Sequence, residues 1–75
     1  MIFYINYIKD NDKTVIGNVL AERYELHTLK DDDFKTDIIT LYNENEEVAK
    51  FGGKTIIIEH IEHTKYSINV NIITY

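Results

Sequence analysis

Thr14-Val15-Ile16-Gly17-Asn18-Val19-Leu20-Ala21-Glu22-Arg23-Tyr24-Glu25-Leu26 is the stretch on which the fold class turns. Val15, Ile16, Val19, Leu20 and Leu26 fall toward one side of a 3.6-residue period, and Thr14 stands where a helix cap belongs. Residues 15 to 26 are therefore expected to form one short helix. Gly17 in its first turn opposes this by up to about 1 kcal/mol relative to Ala.

Everything around that stretch reads as strand. Ile occupies thirteen positions and Val four, Pro and Cys are absent, and β-branched side chains of this kind favour extended backbone. Polar turn signals recur at Lys9 to Asp12, Lys30 to Asp33, Asn43 to Glu46, Gly52-Gly53 and His63 to Lys65, at spacings typical of a sheet-dominated domain. Residues 66 to 74 are the clearest strand, with Tyr66, Ile68, Val70 and Ile72 alternating against Ser67, Asn69 and Asn71. Gly52-Gly53 is expected to close a two-residue hairpin that sets Phe51 opposite Lys54 and Ala49 opposite Ile56. The segment 37 to 42 joins 47 to 51 through the Asn-rich turn, which makes the C-terminal half a four-stranded antiparallel meander. Ile2 to Ile8 and Ile56 to Ile58 are apolar on both faces, so both are expected as central strands.

Residues 33 to 51 admit a second reading. Phe34, Ile38, Leu41, Tyr42, Val48 and Ala49 also match helical spacing, with Asp33 as cap and Gly52 as terminator. Strands are preferred, because Ile38 to Tyr42 is strongly β-prone and Asn43 and Asn45 would sit in mid-helix. The expected fold is a β-rich α+β domain spanning residues 1 to 75, an antiparallel sheet of four to five strands with one short helix. The alternatives are a small all-β barrel, or a β-α-α-β-β order with residues 33 to 51 helical.

Charge is unevenly placed. Between Glu22 and Glu47 nine acidic side chains oppose Arg23, Lys30 and Lys35, so that stretch carries −6, while the whole chain carries −5. Such a field bears on partners and solubility, not on fold. Scattered Lys at 9, 13, 50, 54 and 65 do not form the clustered basic surface that phosphate neutralisation demands, so direct nucleic-acid binding is not expected.

Catalytic motifs are lacking. Glu59-His60-Ile61-Glu62-His63 sets its two His on opposite faces of a strand and fails the spacing of a helical zinc-protease motif, so it reads as a polar strand end. Asp10-Asn11-Asp12 resembles the start of a calcium loop, but Val15 and Ala21 stand where Gly and a bidentate acid are needed, which leaves a turn. Ser67 is the only Ser, and no Gly-rich elbow surrounds it. No enzyme activity, metal or cofactor is expected.

What remains is binding. Glu22, Glu25, Asp31, Asp32, Asp33, Asp37, Glu44, Glu46 and Glu47, with Tyr24, Phe34 and Tyr42 as anchors, are the candidate partner-binding residues. Carboxylates can stand where phosphates would, so a protein with a basic, nucleic-acid-binding surface is the expected partner, and a phage-encoded inhibitor acting as a nucleic-acid mimic is the leading expectation. Abundant Ile, Asn, Lys, Asp, Glu and Tyr, all served by AT-rich codons, favour a low-GC bacterium or one of its phages. The other expectation is a small structural or assembly subunit that self-associates through apolar strands as a homodimer. Met1 to Lys9 lacks the features of a signal peptide and no run is long enough for a membrane span, so a cytoplasmic location without membrane contact is expected.

Overall fold

The stretch read as a helix is extended instead, its first half paired with the strand before it and its last residues, from Arg23, with the strand after it. The computed structural model describes residues 1–61 and 66–75, and among them it has seven strands and no helix. β1 (Ile2–Lys9) turns into β2 (Asp12–Leu20) through Asp10 and Asn11, whose φ angles are 52° and 69°. Positive φ at both central positions is what a type I′ hairpin requires, and Asp and Asn are the non-glycine residues that tolerate it best.

The helix expectation failed because of a bulge. Ile5 pairs with Gly17 and Asn6 with Val15, so Ile16 is an extra residue in β2. The insertion shifts the phase of a two-residue alternation, leaving Val19 on the inner face with the core, and Val15 and Leu20 on the outer one. Apolar residues thus fall on both sides of one strand at intervals that mimic a helical period. At the buried Ala21 the chain changes sheet: its amide donates to the Met1 carbonyl at 3.0 Å and the next amide, of Glu22, donates to the Tyr42 carbonyl at 2.9 Å.

β3 (Arg23–Lys30), β4 (Lys35–Asn43) and β5 (Glu46–Gly53) make a three-stranded antiparallel sheet in that order. β6 (Thr55–His60) and β7 (Ser67–Ile73) join the first hairpin in a four-stranded sheet of order β2-β1-β7-β6, in which β1 and β7 run parallel. The molecule is all-β, which corrects the α+β expectation and its single antiparallel sheet. The all-β alternative came nearer, but as two separate sheets and not as a closed barrel. Residues 33 to 51 are a strand hairpin about the Asn43-Glu44-Asn45 turn, as preferred, so the helical variant of that segment is excluded. β1 is central as expected, whereas β6 lies at an edge with Ile57 exposed. The end of the cluster at Glu62 and His63 and the turn at 63 to 65 lie outside the described residues. No described helix is long and apolar enough to cross a membrane.

Gly52-Gly53 is not a hairpin turn. β5 ends in one sheet at Gly53 and β6 begins in the other at Thr55, so the expected four-stranded meander is cut into two hairpin halves. The physical reason lies in the space at Gly53, where a Cβ would come within 2.5 Å of Ile72 Cγ2 and 2.8 Å of the Ile73 carbonyl oxygen. The missing side chain lets β5 approach β7 closely, and the Lys54 amide then donates to Ile73 O at 2.7 Å.

Between the sheets lie Phe3 and Ile5 of β1, Ile39 and Leu41 of β4, Ile56 of β6, and Ile68, Val70 and Ile72 of β7, all buried. Tyr24 reaches in from β3 to meet Phe3 edge-on, with ring centroids 5.9 Å apart. β4 packs against β6 and β5 against β7, so the three-stranded sheet lies across the β7-β6 side of its partner.

Gly53→Ala is expected to cost about 2 kcal/mol or more, because backbone and a branched side chain would have to yield. Gly52→Ala, whose Cβ would meet nothing nearer than 3.6 Å, is expected to be neutral or to stabilise by up to about 1 kcal/mol. Denaturant titration of the pair checks both signs.

Candidate functional site

The acidic block divides between the two ends of one sheet. Asp31, Asp32, Asp33 and Phe34 form the β3–β4 turn, closed by Asp31 and Phe34 exchanging backbone hydrogen bonds at 2.8 and 3.3 Å. The Asp31 carboxylate also accepts from the Asp32 amide at 2.8 Å. Glu44, Glu46 and Glu47 belong to the β4–β5 turn at the far end of the nine-residue β4. At about 3.3 Å per residue the two turns lie roughly 26 Å apart. Phe34 stacks edge-on with Tyr75, not with the other proposed anchors.

Five of the twelve candidate residues do come together. Glu22 accepts from the Glu44 amide at 3.2 Å, and Arg23 donates to the Glu44 carbonyl at 3.3 Å. The Arg23 guanidinium lies 4.2 Å above the Tyr42 ring and 3.7 Å from the Glu25 carboxylate. The Glu25 carboxylate beside Tyr42, then burial, then the negative charges of Glu25 and Glu47, hold its phenol above the usual value of 10.0. Glu47 pairs with Lys50 at 3.7 Å. Glu22, Glu25, Tyr42, Glu44 and Glu47 thus gather at one sheet end, opposed only by Arg23 and Lys50 among the side chains described there, while Glu46, paired with Asn43, lies at the same turn on the opposite face. Glu44 holds a positive φ of 54° at this turn and is exposed.

Tyr24 and Asp37 point the other way. Tyr24 belongs to the core edge, and Asp37 is buried beneath the same sheet. Its Oδ1 accepts from the Thr28 hydroxyl at 2.8 Å and lies 3.7 Å from Lys35 Nζ, while Oδ2 accepts from the Ile56 amide at 3.0 Å. Burial alone would raise the Asp37 pKa, but the Ile56 amide, the Thr28 hydroxyl and the Lys35 charge together outweigh it and hold it below the ordinary 3.8. This carboxylate joins β3, β4 and β6, and so works inside the fold.

A second polar cluster escaped the sequence reading. On the outer face of the four-stranded sheet Asn6 donates to Asn71 at 3.1 Å and to Asn69 at 3.4 Å, and Asn71 donates to the Glu59 carboxylate. Asn6 is only 2% exposed and Asn71 only 6%. Among the described residues no buried side-chain polar atom lacks a partner. The signal was available: Asn6 is the one polar residue within the apolar run Ile2 to Ile8, and its face is shared by the alternating Asn69 and Asn71 of β7. Ser67 lies on that outer face and His60, which pairs with Ile68, on the inner one, so the two are not brought together. Among the described residues no group of His, Asp or Glu is arranged to hold a metal ion, and no ligand-sized cavity opens.

Because the Asp37 pKa is lowered on folding, its stabilisation is fully present above 3.8 and is lost as pH falls through the lower folded value. Asp37→Ala strands the Ile56 amide and the Thr28 hydroxyl and is expected to cost about 3 kcal/mol. Asp37→Asn is expected to flatten the acid limb of the stability curve. Thermal melts between pH 2 and 7 check both; a wild-type acid limb in Asp37→Asn would assign the pH dependence elsewhere.

Comparison of the chain with protein-family models, with curated proteins and with solved structures finds no match.

Proposed function

We propose that this chain is a non-enzymatic binding protein, an inhibitor that occupies a basic, nucleic-acid-binding site on a host protein in the cytoplasm. The observation that supports this reading is the gathering of Glu22, Glu25, Glu44 and Glu47 about Arg23 and the Tyr42 ring at one end of the three-stranded sheet, with Glu46 in the same turn. The contact surface is narrower than the sequence block. It omits Asp31 to Asp33, at the opposite end, and the inward-facing Tyr24 and Asp37. Carboxylates fixed on a hairpin present negative charge without the ordering cost of a loop, and Tyr42 offers an apolar surface at their centre.

A second reading has its own support. The four-stranded sheet leaves Val15, Leu20 and Ile57 exposed on its outer face, a pattern that fits a subunit which self-associates through its strands.

The two readings separate experimentally. With immobilised protein and lysate of a low-GC bacterial host, the inhibitor reading expects a retained nucleic-acid-binding protein that is released by moderate salt and by competing duplex DNA or RNA. Combined Glu44→Lys, Glu46→Lys and Glu47→Lys is expected to abolish retention, while Asp31→Lys, Asp32→Lys and Asp33→Lys together leave it within about threefold, a difference under 1 kcal/mol. Retention that survives the first triple substitution, or that is indifferent to salt, would count against the acidic end as the contact.

A further inference from the structure

We infer that the outer face of the four-stranded sheet is the contact surface of a symmetric dimer, with a second copy of this chain as occupant. The inference deepens the self-association reading above and rests on it. The strand registers place the outward residues in cross-strand rows: Asn18, Tyr4, Asn69, Glu59 in one, and Val15, Asn6, Asn71, Ile57 in the next. A third row runs Lys13, Ile8, Ile73, Thr55.

Face-to-face packing about a twofold axis parallel to the strands, between β1 and β7, reverses the order within every row. Each position then meets its mirror-order counterpart on the second copy. Val15 faces Ile57 and Ile8 faces Ile73, apolar against apolar. Asn18 faces Glu59, whose second oxygen remains an acceptor beside the one that takes the Asn71 bond. Asn6 lies opposite Asn71, and both are already buried and satisfied within each copy, so the contact leaves no orphaned polar group there. Lys13 faces the Thr55 hydroxyl. No row sets like charges or a charge and an apolar side chain against each other.

Packed sheets cross at about 30°, which displaces the edge strands by roughly 4 Å against each other, less than the ~6.8 Å between successive same-face residues. The row correspondence therefore survives the twist. Exposure agrees with the assignment, since Val15 is 66% and Ile57 47% exposed while the polar centre of the face is buried. Four strands at about 4.8 Å spacing and seven residues at about 3.3 Å each offer a projected footprint of roughly 440 Å² per copy, a small contact face. The dimer is accordingly a reversible one.

Sedimentation velocity on the full chain tests this, from about 10 µM to about 1 mM, which brackets the dissociation constants of a weak, reversible contact. Wild type is expected to pass from monomer to dimer. Val15→Glu alone and Ile57→Lys alone are each expected to weaken association at least tenfold. An equimolar mixture of those two variants is expected to form a heterodimer, because position 15 of one copy meets position 57 of the other. Asn18→Lys, opposite Glu59 of the second copy, is expected to tighten the dimer several-fold in low salt, a gain that misfolding cannot imitate. A wild type monomeric throughout overturns this inference and the self-association reading together. A dimer indifferent to all three substitutions overturns the face and leaves self-association standing. A mixture that fails to pair, or Asn18→Lys that does not tighten, overturns the axis.

Discussion

One buried carboxylate closes the corner at which the two sheets meet. β6 is an edge strand, hydrogen-bonded to β7 on one side only, and on its other side the Ile56 amide points toward the three-stranded sheet. An edge amide turned into a protein interior must find an acceptor, and Asp37 supplies one from the middle of the molecule. The same side chain accepts from Thr28, so β3, β4 and β6 are held at one point. With that joint in place Ile39, Leu41 and Ile56 are set facing β7, and Gly53 can carry the chain across without a side chain to obstruct it. The charge that looked like part of a binding surface is thus the connection on which the sheet packing depends.

Legibility in the sequence followed the locality of the cause. Turns were readable because their requirements sit within a few residues: Asp10-Asn11 for positive φ, Asn43 to Glu46 for the β4–β5 reversal. The alternation of β7 was readable because one face is buried and the period is regular. The failures came from events between distant segments. A single inserted residue at Ile16 disguised β2, and only pairing with β1 reveals it. Gly52-Gly53 has the composition of a hairpin, yet the deciding fact is the closeness of Ile72 and Ile73, some twenty residues further on. Parallel pairing of β1 with β7 leaves no local trace at all.

The candidate residues show the same division. Glu22, Glu25, Tyr42, Glu44 and Glu47 converge because Glu22 follows the sheet change at Ala21 and the β4–β5 turn returns beside it. Asp31 to Asp33 are equally acidic, but β4 separates them from that end by its whole length. Charge counting along a chain cannot distinguish these cases, since in a strand protein sequence neighbours are carried in opposite directions. The asparagine cluster illustrates the converse, because Asn6 and Asn71 are 65 positions apart and directly bonded. A polar network across three strands fixes their register as firmly as apolar alternation does, since a one-residue slip would turn every amide away from its partner.

The central pairing of β1 with β7 also governs how the chain reaches this state. Ile2 meets Ser67 and Ile8 meets Ile73, so the middle of the larger sheet forms only when segments more than sixty residues apart find each other. The β1–β2 hairpin can assemble early from local contacts, but it then waits with an open apolar edge that only β7 completes. Closing so long a loop before any reward places such topologies among slow folders, in the millisecond-to-second range, despite the short chain. Cellular quality control would meet this protein in that interval, as a hairpin with an unfilled strand position at its side.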